Sequence, residues 1–97
     1  MNRPVSMPRR LAILVRGIVQ GVGFRPYIWR LAQHCQLTGT VANNGAGVEI
    51  EVWGTGAQLQ QFMALLEQEI PPLARIDNIS VQPLVNKVGT YTAFSII

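Results

Sequence analysis

The chain has 97 residues, of which 48% are hydrophobic and 13% charged; this suits one small domain with a real core and argues against disorder. The formal net charge of +3 comes from Arg3, Arg9 and Arg10, beside Pro4 and Pro8; from Leu11 onward five basic residues face five acidic ones, so no nucleic-acid footprint emerges. No run approaches the ~20 apolar residues that span a bilayer. Cys35 is the single cysteine, which excludes an internal disulfide framework and makes the cytoplasm the default location.

Residues 1–10 read as a flexible basic leader, and residues 11–97 as one domain. Leu11-Ala12-Ile13-Leu14-Val15 predicts a first strand over 11–18. A helix over 25–36 follows, with Phe24, Ile28, Leu31, Ala32 and Cys35 recurring at helical spacing. Pro26 suits the first helical position, where its missing N–H costs nothing. Strands are expected at 38–43 and 47–53, joined by a hairpin in which Gly45 supplies positive φ. In the second of these strands Val48, Ile50 and Val52 alternate with Glu49 and Glu51, giving a buried and a wet face. Thr55 and Gln58 have capping-box spacing at the start of a second helix. Its stripe is Leu59, Phe62, Met63 and Leu66, and Pro71-Pro72 stops it after Ile70. A strand at 76–81 completes a βαββαβ order, and a fifth strand at 91–97 follows it. Such an order predicts an α+β, ferredoxin-like sandwich with two helices on one face of an antiparallel sheet.

The segment joining the first strand to the first helix carries the chemistry. Gly17, Gly21 and Gly23 permit positive φ and close approach of a ligand. The helix start offers unpaired amides and the positive dipole end, and Arg25 adds a planar, permanently charged fork. Backbone amides of Gln20, Gly21, Val22, Gly23 and Phe24, with Arg25, form an anion cradle suited to phosphate. On geometry alone a tight turn with an exposed arginine remains the alternative.

Gly17-x-Val19-Gln20-Gly21-Val22-x-Phe24-Arg25 resembles the first signature of the acylphosphatase family. Gly39-Thr40-Val41-Ala42-Asn43-x-x-x-Gly47 resembles its second, and the likeness runs from Leu11 to Ile97. Thr40 and the position of Val48 depart from the free-standing enzymes. Phe24-Arg25-Pro26-Tyr27-Ile28-Trp29 and Pro71-Pro72-Leu73-Ala74-Arg75-Ile76-Asp77 instead resemble the N-terminal domain of the hydrogenase maturation carbamoyltransferases (the HypF family). The resemblance implies the ferredoxin-like fold and hydrolysis of an acyl phosphate, here carbamoyl phosphate, to carbamate and inorganic phosphate. It also implies catalytic roles for Arg25 and Asn43, the latter orienting the attacking water. Such a chain is expected to be the N-terminal piece of a longer polypeptide, with the downstream domains as its partners. No metal or other cofactor is called for, because a carboxylate leaves readily and the reaction needs mainly charge stabilisation and an oriented water.

Without the resemblance, Asn43 reads as a turn residue of the Asn43-Asn44-Gly45 hairpin. His34 has no second histidine at ligand spacing and reads as a surface cation near a helix C-terminus. Cys35 falls on the core stripe as a small buried hydrophobe. Trp29 and Trp53 read by default as local packing, with cover for a partner surface as the alternative, while Arg75 and Asp77 serve either structure or contact with another domain. A free-standing acylphosphatase of broad specificity is the second functional reading. The third is a non-catalytic ferredoxin-like module of the RNA-recognition kind, against which Glu49 and Glu51 weigh on the open strand face.

Overall fold

A computed structural model describes residues 9–85 and 91–97. Its elements are β1 (Arg9–Ile18), α1 (Phe24–His34), β2 (Thr38–Asn44), β3 (Gly47–Gly54), α2 (Gly56–Leu65), β4 (Arg75–Pro83) and β5 (Phe94–Ile96). The two-residue period of the strands sends Ile13 and Val15 of β1, Val41 of β2, and Val48, Ile50 and Val52 of β3 to one face, where all are fully buried. Phe24, Ile28 and Ala32 of α1, Leu59 and Phe62 of α2, and Leu66 just beyond it cover that face and complete a single core. Cys35 belongs to this core, and burial pushes its thiol pKa up.

The strands lie in the order β4-β1-β3-β2-β5. β1 pairs antiparallel with β3 (Ile13 opposite Ile50) and with β4 (Val15 opposite Ile79), and β2 pairs antiparallel with β3 (Val41 opposite Ile50). β5 instead runs parallel to β2, with Thr40 opposite Ser95. The sheet is therefore mixed, correcting the expected all-antiparallel arrangement. The α+β, ferredoxin-like sandwich is otherwise as expected. Having paired at one edge as β4, the chain returns at the opposite edge in the direction of β2.

Boundaries differ where tertiary contacts intervene. β1 begins at Arg9, two residues before the apolar run, so Arg9 and Arg10 join the sheet instead of ending a flexible leader. Arg10 is only 8% exposed, and its guanidinium carbon stands 5.2 Å from the Tyr91 ring centroid, a cation–π arrangement. Residues 1–8 of that leader lie outside the described residues. Tyr91, expected inside the last strand, precedes β5 and donates its hydroxyl to Glu51 Oε1 at 2.5 Å. That bond is the first cause of the raised Tyr91 pKa. The proton is held more tightly in the folded state, so this stabilisation is complete below the ordinary tyrosine value and is lost as pH rises through the raised one.

α2 ends at Leu65 instead of Ile70. Tyr27 of α1 donates its hydroxyl to the carbonyls of Leu65 (3.2 Å) and Leu66 (2.7 Å), and the Gln68 amide turns back to Leu65 O at 3.1 Å. These bonds satisfy carbonyls that a longer helix would have used. At the other sheet edge, Trp29 Nε1 donates to the Phe94 carbonyl at 3.0 Å.

The capping box is present in full: Thr55 Oγ1 accepts from the Gln58 amide and Gln58 Oε1 accepts from the Thr55 amide. Thr55→Ala is expected to lower unfolding free energy by about 1 kcal/mol, seen as a reduced denaturation midpoint with an unchanged denaturant slope.

Candidate active site

Between the end of β1 at Ile18 and the start of α1 at Phe24, five residues turn the chain from the sheet onto the helix layer. Val19 and Phe24 are buried and anchor this loop at both ends. Gly21 and Gly23 take φ of 74° and 79°, a left-handed backbone that strains any residue with a Cβ. Gly23 is the N-cap of α1, and no side chain caps the first turn. A serine or aspartate there would occupy one of the open amides; glycine leaves them free for a ligand.

The first bond of the helix runs from the Tyr27 amide to Gly23 O at 3.2 Å. The amides of Phe24 and Arg25 precede it and have no intrahelical acceptor. Pro26 occupies the third helical position, not the first, and is still within the turn where a missing N–H costs nothing. No acidic residue lies in this turn, so the amides and the positive helix end stand uncompensated beside the loop. Arg25 is half-buried, and its side chain has no hydrogen bond or ion pair among the described residues.

Asn43 lies opposite Val48 near the end of β2. It shares the strand face of Val41, two residues before it, and this face carries the helices. Beyond the reach of the core, Asn43 is exposed on the same side of the sheet as α1. The adjacent Asn44 performs the turn role: its Oδ1 accepts from the amides of Ala46 (2.7 Å) and Gly47 (2.9 Å). Gly45 accordingly does not carry the expected positive φ. Gly47 does, at 156°, where a Cβ would stand 2.1 Å from the Val15 carbonyl oxygen.

One link joins the loop to this hairpin. Gln20 Nε2 donates to Asn44 O at 2.9 Å and to Gly47 O at 2.8 Å. Sequence reasoning assigned Gln20 a backbone amide and missed its side chain. The available signal was a lone amide side chain among glycines and apolar residues. On the other flank, Ile18 lies opposite Arg75, whose Nε donates to Asp77 Oδ1 at 2.8 Å. That bond holds the Asp77 carboxyl below the usual carboxylate range, but the pair is solvent-exposed and contributes little stability.

A cavity of about 380 Å³ lies elsewhere, lined by Tyr27, Arg30, Leu31, His34, Leu65, Gln68 and Glu69. It shares no residue with the anion loop or with Asn43. Among the described residues no three His, Cys, Asp or Glu side chains gather as a metal site, and no helix is long and apolar enough to cross a membrane.

The acylphosphatase family model matches residues 11–96. The chain belongs to the acylphosphatase family. It is 53% identical over 81 residues to carbamoyltransferase HypF2 of Cupriavidus necator, covering 81% of this chain and 10% of that protein. It is 40% identical over 89 residues to the acylphosphatase of Caldivirga maquilingensis, covering 90% of this chain and 92% of that one. The crystal structure of full-length HypF in its phosphate- and nucleotide-bound form aligns with a TM-score of 0.88 at 36% identity, covering 99% of this chain and 12% of that chain. The chain thus spans about a tenth of the carbamoyltransferases it matches, where it is homologous to their N-terminal domain, and nearly the whole of a free-standing acylphosphatase.

The two neighbouring asparagines should separate cleanly in stability. Asn44→Ala removes two hydrogen bonds from the turn and is expected to cost about 1–2 kcal/mol, whereas Asn43→Ala should stay within about 0.5 kcal/mol of the parent. Urea denaturation of both variants measures the difference.

Proposed function

We propose that this chain is the acyl-phosphate-hydrolysing module of a hydrogenase maturation carbamoyltransferase, with carbamoyl phosphate as its substrate. The observation that carries this reading is the uncapped helix start at Gly23, with Arg25 unpartnered among the described residues beside it. The amides of Gln20, Gly21, Val22, Gly23 and Phe24 and the Arg25 guanidinium would surround the phosphoryl oxygens. Their fixed donors meet the charge that develops there without reorganisation. Asn43 orients a water in line with the scissile bond. The water oxygen bonds to phosphorus as the bond from phosphorus to the carbamoyl oxygen breaks, and carbamate departs as an anion. The water proton passes to solvent or to the phosphate formed. Carbamate is a good leaving group, so no general acid is needed at its oxygen.

The 53% identity to a HypF2 protein supports carbamoyl phosphate over a generic acyl phosphate. In this reading the carbamate goes to downstream domains of the same polypeptide, in the cytoplasm, for synthesis of the cyanide ligands of a nickel–iron hydrogenase. Residues 11–97 act as the hydrolytic unit, with Arg9 and Arg10 completing its first strand. The near-complete coverage of a free-standing acylphosphatase favours a second reading, a broad-specificity hydrolase. Phosphate release from carbamoyl phosphate against acetyl phosphate separates them: a clear carbamoyl preference supports the first, and equal rates support the second.

Arg25→Ala is expected to lower turnover by ~10²–10³, the scale of losing one oxyanion donor. Arg25→Lys should recover little, because an ammonium lacks the planar fork. Full activity in Arg25→Ala would refute the cradle. Asn43→Ala should lose most of its turnover while phosphate affinity measured by calorimetry stays near the parent value, since a water-orienting group acts on the transition state.

A further inference from the structure

The anion loop and Asn43 come from different parts of the chain, and the reaction requires them at a fixed separation. Backbone pairing relates them only through β3, where Val48 stands opposite both Val15 of β1 and Asn43 of β2, and it stops short of the loop itself. The loop follows β1, Asn43 belongs to β2, and these strands are not neighbours, because β3 lies between them. The Gln20 carboxamide closes this gap directly. Both hydrogens of Nε2 are used, one on Asn44 O and one on Gly47 O. These two carbonyls belong to the last residue pair of the β2–β3 ladder, where Asn44 stands opposite Gly47. Asn43 is the residue immediately before, so the bond is made one residue from the proposed water-orienting side chain.

We infer that Gln20 is a positioning residue for hydrolysis, its side chain setting the distance from the phosphate loop to Asn43 while only its backbone amide faces the anion. This rests on the function proposed above. Two features favour positioning over folding as its main effect. Gln20 is exposed and absent from the core, and its bonds are exposed or only part-buried. A displacement of about 1 Å at a reacting group can nonetheless cost ~10²-fold in rate.

The test uses Gln20→Met, which keeps the chain length and removes both donors, and Gln20→Asn, which keeps the donors on a stem one methylene shorter. Turnover of Gln20→Met should fall ~10–100-fold, with phosphate affinity within about twofold of the parent and Gln20→Asn between the two. Because Gln20 acts through Asn43, Gln20→Met placed on Asn43→Ala should add little further loss; coupled residues are non-additive in this way. A full additional loss in the double variant, or a large fall in phosphate affinity in Gln20→Met, would overturn the positioning role while leaving the hydrolytic function standing. If the parent itself releases no phosphate from acyl phosphates, the function fails, and the positioning claim is read from NMR instead. The Asn43 carboxamide signals should shift and broaden in Gln20→Met, and unchanged signals would overturn it.

Discussion

Everything at the active end depends on the burial of one strand face. Ile13, Val15, Val48, Ile50 and Val52 are sealed between the sheet and the aromatic and aliphatic side chains of the helices. Burying such side chains is worth roughly 1.5–3 kcal/mol each, and it fixes the register of β1 and β3. It also fixes where β1 must stop and how far α1 must start above it. The short connection left between them is anchored by Val19 and Phe24 and turns through the left-handed Gly21 and Gly23. Open amides are thus a by-product of core packing, and the arginine placed after them inherits a site already positive.

The periodic elements were legible in the sequence because burial wrote them there. Alternation in β3 and the stripe of α1 required only the apolar pattern. The cap of α2 was legible too, as a local contact between Thr55 and Gln58 with no distant partner. What escaped were features decided by residues far apart in sequence. The early end of α2 depends on the hydroxyl of Tyr27, and the burial of Arg10 depends on Tyr91. The parallel pairing of β5 depends on which edge remained open after β4 had paired. None of these leaves a periodic trace.

The same division runs through the site. The glycine turn, Arg25 and Asn43 were singled out from motif order; the structure puts the turn at the start of α1 and Asn43 opposite Val48 near the end of β2. Which asparagine closes the hairpin was not legible, since Asn43-Asn44-Gly45 offers either one to the turn. Only the register, with Asn44 opposite Gly47, decides it. The Gln20 side chain left only the trace of a lone amide among glycines and apolar residues, because its partners are carbonyls that any residue type could have supplied.

The indole of Trp29 has a consequence for the sheet as a template. By engaging the Phe94 carbonyl, it occupies an outward acceptor on β5, an edge already limited to three residues. The opposite edge, β4, relies on other guards: Pro83, which cannot donate, and the charges of Arg75 and Asp77. Trp29 sits on α1, the helix that also supplies Phe24 and Ile28 to the core. Loosening of that helix would therefore bare apolar surface and free a strand acceptor in one event. For this fold, core integrity and protection against foreign strands are the same property on the α1 side, and separate properties at β4.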